Sequence, residues 1–162
     1  MVRFANPAIP QSPVPTVAVA IAHSLDLEQT RVDQKKLVID IDLEQSVGVL
    51  PCGLGVVNAL QRLLKLAISR CPPKGDMQVT ACRTFRGIEI EIADSGNENY
   101  VPWMNAFSPC PPSLLIEGPV SRAPSKWRSG DANFDLYCTH CPQGGVAWSL
   151  VFRPWLYARQ VA

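Results

Sequence analysis

Between two breaks, Pro51-Cys52-Gly53 and Pro72-Pro73, the residues Val56, Val57, Leu60, Leu63, Leu64, Ala67 and Ile68 recur at helical spacing. A helix with one apolar face must bury that face against something. The flanks say what. Before it, Leu37, Ile39, Ile41 and Leu43 alternate with Val38, Asp40 and Asp42, the period of a strand. After it, Lys74-Gly75-Asp76 makes a turn. Met77, Val79 and Ala81 then alternate with Gln78, Thr80 and Cys82. Ile88, Ile90 and Ile92 alternate with Glu89 and Glu91, and Arg83–Gly87 joins the two runs as a hairpin.

The rest of the chain is less regular. Thr16 is placed to cap a helix running to about Val32, with Val17, Ala20, Ile21 and Leu25 on one face. The alternation Val17, Val19, Ile21 fits a strand equally. Asn97–Gly130 reads as a long irregular stretch, with seven prolines or glycines between Pro102 and Pro124. Such stretches often act as lids or binding loops. A short helix is expected near Ala132–Tyr137, and the last strand is Val146–Phe152, with Val146, Trp148, Leu150 and Phe152 on one face. These pieces predict an α+β fold, a two-layer α/β sandwich whose mixed sheet carries helices on one face. The domain is expected over 16–156, after a flexible proline-rich lead-in at 1–15 and before a tail at 157–162.

With 162 residues the chain suits one domain and can bury a core without disulfides. A net charge of +1 without clustered Lys and Arg argues against nucleic acid. No apolar run approaches the ~20 residues of a spanning helix. Met1–Pro15, with one Arg and four prolines, is a poor signal-peptide start, so a soluble cytoplasmic protein is expected. The six cysteines then read as free thiols.

Three segments, in this order and spacing, resemble the catalytic ATPase domain of sensor histidine kinases, part of the GHKL superfamily. Leu60-Gln-Arg-Leu-Leu-Lys-Leu-Ala-Ile-Ser-Arg-Cys-Pro-Pro-Lys-Gly75, followed by Met77–Ala81, looks like the N-box helix, its Pro-Gly turn and the next strand. Gly87–Gly96 looks like the strand that ends in the D-box, Asp-x-Gly-x-Gly. Cys141–Phe152 looks like the glycine turn and closing strand. The resemblance covers about Val17 to Pro154.

The resemblance implies ATP and magnesium as cofactors, and it assigns residues to them. Asp94 matches the aspartate that accepts a hydrogen bond from the adenine amino group. Gly96 matches the glycine that lets the base approach the backbone. Lys65 is a point charge available to a phosphate, or else a solvated position on the polar helix face. Other positions depart from the pattern. Leu66 stands where the magnesium-binding Asn is expected, and leucine has no oxygen to give. Arg62 replaces the earlier Asn, Glu98 the second D-box glycine and Val146 a pocket threonine. The glycine-rich lid Gly-x-Gly-Leu that the resemblance implies between the D-box and the last helix has no match there; Gly118-Pro119 and Gly130 are isolated. Phosphoryl transfer depends on positioning and metal-assisted charge stabilisation, so these losses should cost activity severely. Apart from the resemblance, Asp94-Ser95-Gly96 reads as a strand-ending turn. Asp94→Asn is expected to leave folding intact and to weaken residual adenine binding.

The functional expectation is therefore a degenerate, pseudokinase-like ATPase domain that regulates or binds a signalling partner: a kinase, a receiver domain or a sigma-type factor. One alternative is an active ATP-dependent histidine or serine kinase with a remodelled pocket. No phospho-accepting His is evident, since His23 lacks a His-Glu context. The other alternative is a small zinc or redox protein using Cys138 and Cys141 of Cys138-Thr-His-Cys141, with Cys110 the only nearby addition. Trp103 and Trp127, beside Arg122, Lys126 and Arg128, read either as loop packing or as cover for a site or partner surface.

Overall fold

The computed structural model describes residues 14–96, 125–129, 132–141 and 144–153. Most of the expected lead-in, Trp103, Cys110, Glu98 and the tail lie outside the described residues.

Thr16 caps α1 (Val17–Asp26), its Oγ1 accepting the Val19 N–H at 3.3 Å. The buried residues Val17, Ala20, Ile21 and Ser24 follow helical spacing, and Val19, which a strand would bury with Val17, is 56% exposed. The helix does not run unbroken to Val32. It stops at Asp26, and a separate α2 (Gln29–Lys35) follows, burying no residue fully and ending on Lys36 in the left-handed region at φ 54°.

Next come β1 (Val38–Leu43), a one-turn α3 (Gln45–Gly48) and α4 (Leu54–Arg70). Every apolar position expected for α4 is buried. Leu60, Leu63, Leu64 and Ile68 are fully enclosed, and truncating any of them to Ala would cost about 2–5 kcal/mol. α2 holds the far end of this helix. Lys35 Nζ donates to the carbonyls of Ile68 (2.9 Å), Ser69 (2.8 Å) and Cys71 (2.7 Å), groups that a helix end leaves without intrahelical partners.

The hairpin forms as expected from β2 (Asp76–Thr84) and β3 (Gly87–Asp94), with the turn tightened to Phe85-Arg86 because Thr84 pairs with Gly87. Two expectations are corrected. Ala132–Tyr137 is not helical but part of β5 (Ala132–His140), where Phe134, Leu136 and Cys138 are buried and Asp135, Tyr137 and Thr139 half-buried. The end of the supposed irregular stretch is β4 (Ser125–Ser129), paired antiparallel to β5. β6 (Val146–Phe152) has the expected bounds and lies between β3 and β5, which buries both of its faces.

The sheet order is β1-β2-β3-β6-β5-β4. Among the described strands only β1 and β2 run parallel, because α3 and α4 connect them as a crossover; the other pairings are antiparallel. The core lies between this mixed sheet and the layer of α1 and α4, as the two-layer α+β reading requires. Among the described residues no helix is long and apolar enough to cross a membrane.

Candidate functional site

β3 ends on Asp94 beside the C-terminus of α4. The sequence confines Asp94 from both directions along the chain. Ser95 exchanges hydrogen bonds with Asp76, Asp76 N–H to Ser95 Oγ at 2.9 Å and Ser95 N–H to Asp76 O at 3.2 Å, which anchors the strand end. Register pairs Asp94 with Met77 on one side and with Val146 on the other.

The Asp94 side chain is wholly buried, and three donors converge on it. Arg70, the last residue of α4, places Nε 3.1 Å from Oδ2 and 3.4 Å from Oδ1. The Gly96 N–H donates to Oδ1 at 2.9 Å. The Trp148 indole Nε1–H donates to Oδ2 at 3.3 Å. Both Asp94 and Trp148 are shut off from solvent, and the Arg70 side chain is only 5% exposed. A charge taken out of water needs such pairing, and here the pair is supplemented by two N–H groups.

Two glycines make this closeness possible. A Cβ on Gly145 (φ +88°) would lie 1.8 Å from the Asp94 carbonyl oxygen, so only glycine lets the turn before β6 cross the strand end. A Cβ on Gly96 would lie 2.8 Å from Asp94 Oδ1, 2.9 Å from Arg70 Cβ and 3.0 Å from the Arg70 carbonyl. Gly96 is therefore packed directly on Arg70.

The cysteines stand apart from this cluster in character. Burial pushes the Cys138 thiol up to about 12, and the Cys52 thiol likewise to about 12, far above the range of a reactive thiolate. Cys141 is raised too, chiefly by burial. Among the described residues no three His, Cys, Asp or Glu side chains are grouped to hold a metal ion.

Among solved structures, the nucleotide-free catalytic domain of histidine kinase ThkA superposes with a TM-score of 0.63 at 12% identity, over 86% of this chain and 94% of that one. The fold is that of a histidine kinase catalytic domain. The Acinetobacter baumannii histidine kinase AdeS matches with a TM-score of 0.55 at 15% identity, over 86% of this chain and 66% of that one. ThkA in its complex with the response regulator protein TrrA matches with a TM-score of 0.64 at 12% identity, over 88% of this chain and 41% of that one. No family model matches the chain, and no curated protein matches it in sequence.

Within the histidine kinase fold, the expected site residues divide. Asp94 and Gly96 come together, joined by a hydrogen bond. Lys65 is exposed on α4 and, among the described residues, is tied to neither by a hydrogen bond or ion pair. Leu66 is partly buried against the core. Val146 is core, 1% exposed, in register with Asp94. These residues do not fit an adenine nucleotide with magnesium. Asp94 meets donors from the protein at both oxygens, and Leu66 offers a metal no ligand. Nor is Asp94→Asn a change that this geometry leaves neutral for folding, because it would remove a buried negative charge 3.1 Å from Arg70 Nε.

Two members of the cluster were not expected from the sequence. Trp148 was expected as a core residue, and it is one, but its indole N–H also has an acceptor, which a buried Trp usually finds. Arg70 carried only the generic signal of a cation in the last turn of a helix.

Proposed function

We propose that this chain is a degenerate histidine-kinase-like ATPase domain, spanning 16–156, that works as a regulatory or protein-binding module in signal transduction with weak or no ATP binding. The observation that carries the reading is Asp94: its wholly buried carboxylate is engaged by Arg70, Gly96 and Trp148, so a base would have to displace protein groups to reach it. Leu66, partly buried on α4, supports the same reading for magnesium. A fold kept without its nucleotide chemistry retains its surfaces, and surfaces serve partners. The partner class proposed is a signalling protein: a kinase, a receiver domain or a sigma-type factor. One relative in fold, ThkA, is known in complex with a response regulator protein. The setting proposed is the cytoplasm, without nucleic acid and without membrane insertion.

Isothermal titration of the folded protein with ATP and ADP, with and without magnesium, tests the reading. No detectable heat of binding is expected. Saturable binding at micromolar nucleotide, strengthened by magnesium, would return the chain to the active kinases.

A further inference from the structure

Among the described strands β1 stands at one edge of the sheet and pairs on one side only, with β2. In a parallel pair, alternate residues of a strand bond to a given neighbour. The Val38 N–H donates to the Gly75 carbonyl at 3.1 Å, and the Glu44 N–H to the Ala81 carbonyl at 2.9 Å. Asp40 and Asp42 fall in the same set. The N–H and C=O groups of Ile39 and Ile41 therefore point away from β2, along the open edge. Such a row of backbone groups is a template for another strand. Neither a proline, a lysine nor a bulge interrupts Val38–Leu43.

The side chains say what kind of strand fits. Ile39 and Leu43 pack against the core, but Ile41 between them is 46% exposed. A strand laid beside β1 would cover Ile41 with apolar residues of its own. On the opposite face stand Asp40 and Asp42, both exposed and without an ion-pair partner among the described residues. That face continues to Glu91, which is in register with Thr80 and through it with Asp42. No Lys or Arg occupies a position on that face of β1, β2 or β3. A second copy is a poor occupant. In antiparallel pairing centred on Ile41, Asp40 of each copy would face Asp42 of the other, and like charges directly opposite are destabilising. A strand with Lys or Arg at alternate positions brings the opposite charge to the same places.

We propose that the β1 edge is a docking site for an extended segment of a partner protein in which apolar residues alternate with Lys or Arg. The segment adds a strand to the sheet, with its apolar side over Ile41 and its cations beside Asp40 and Asp42. The proposal rests on the reading of the domain as a protein-binding module, and it names the surface that module uses.

The test uses the full chain and an acetylated, amidated octapeptide that alternates Val with Lys. Its controls are the same residues as a Val block followed by a Lys block, and a peptide that alternates Val with Glu. In the free protein the Ile39 and Ile41 amides should exchange quickly by NMR and the Asp40 and Asp42 amides slowly. The alternating Lys peptide should protect Ile39 and Ile41, bind roughly tenfold or more tightly than either control, and weaken as salt rises. Ile41→Pro removes an edge N–H without touching the bonds to β2 and should abolish binding. The double variant Asp40→Asn, Asp42→Asn should lose roughly tenfold in affinity. Ile39 and Ile41 amides already protected in the free protein would mean an edge covered by this chain or by a second copy, and would overturn the proposal. Equal affinity for all the peptides, or binding that a folded Ile41→Pro protein keeps, would overturn it too. Should Ile41→Pro not fold, the double Asn variant decides, and unchanged affinity there counts against the edge. Saturable ATP binding would sink the reading as a nucleotide-free module, whereas an edge silent to the peptide sinks only the docking site.

Discussion

Arg70 at the end of α4 and Asp94 at the end of β3 form an ion pair, Nε to Oδ2 3.1 Å, with side chains 5% and 0% exposed. The pair joins the helix layer to the sheet. It also uses the carboxylate that the histidine kinase resemblance would leave for a ligand.

Neutralising one member of a buried pair removes the charge that faces the other, here 3.1 Å from Arg70 Nε. Asp94→Asn is therefore expected to destabilise the domain by about 3 kcal/mol. Urea unfolding at neutral pH measures it. A change within about 0.5 kcal/mol would mean that Arg70 reaches water or another acceptor once released.

Adjacent glycines should respond very differently. Gly145→Ala adds a methyl 1.8 Å from the Asp94 carbonyl oxygen at a φ of +88°, so both sterics and conformation oppose it. Roughly 3 kcal/mol or more is expected. Gly144 has a similar φ of +91°, but among the described residues nothing lies within 4 Å of its added Cβ. Gly144→Ala should cost only about 1 kcal/mol. Thermal melts of the two variants side by side check the contrast, and equal losses would remove the close crossing of Asp94 as its cause.

Lys35 caps three carbonyls at the end of α4 and does so from another helix. Lys35→Met keeps most of the stem and removes the donor. It is expected to cost about 1–3 kcal/mol and to raise hydrogen exchange in the last turn of α4 and in α2 together. Exchange rising in α2 alone would show that the helix end is held by other means.

Alkaline pH should weaken the fold through two thiols. Cys52 and Cys138 have an ordinary value of 9.0 and are pushed by burial to about 12. Below pH 9 both states keep the proton, so nothing is lost. Above it the unfolded chain ionises first, and stability falls by about 1.4 kcal/mol per pH unit per thiol until the folded values are reached. Cys52→Ala and Cys138→Ala should each flatten the alkaline arm of a stability–pH curve. An unchanged slope in both variants would place the titration elsewhere.

Some of this architecture was readable in the sequence because local pattern and tertiary burial agree. α4 is bracketed by prolines and its apolar stripe is the core stripe, while β6 alternates and ends where it should. β5 was not readable. Phe134, Leu136 and Cys138 have the strand period, yet Phe134 and Tyr137 also have helical spacing, and pairing with β6 decides between them. Ser125–Ser129 has no alternation at all; it is a strand because β5 offers it a hydrogen-bonding edge. The site divides in the same way. Asp94 and Gly96 announce themselves as a turn after a strand. That Arg70 and Trp148 close on Asp94 follows from crossing of α4 and β6 at the strand end, a relation between segments far apart along the chain.

β3 and β6 are sheet neighbours, with Asp94 directly opposite Val146. The chain that departs after Asp94 thus returns next to its point of departure. Closing a loop costs entropy that grows only with the logarithm of its length, about 0.6 kcal/mol for each doubling. The connection between these two strands carries β4 and β5, and β5 returns alongside β6 with Phe134, Leu136 and Cys138 in the core, so the entropy of closing it is offset by the strand pairing and burial it delivers.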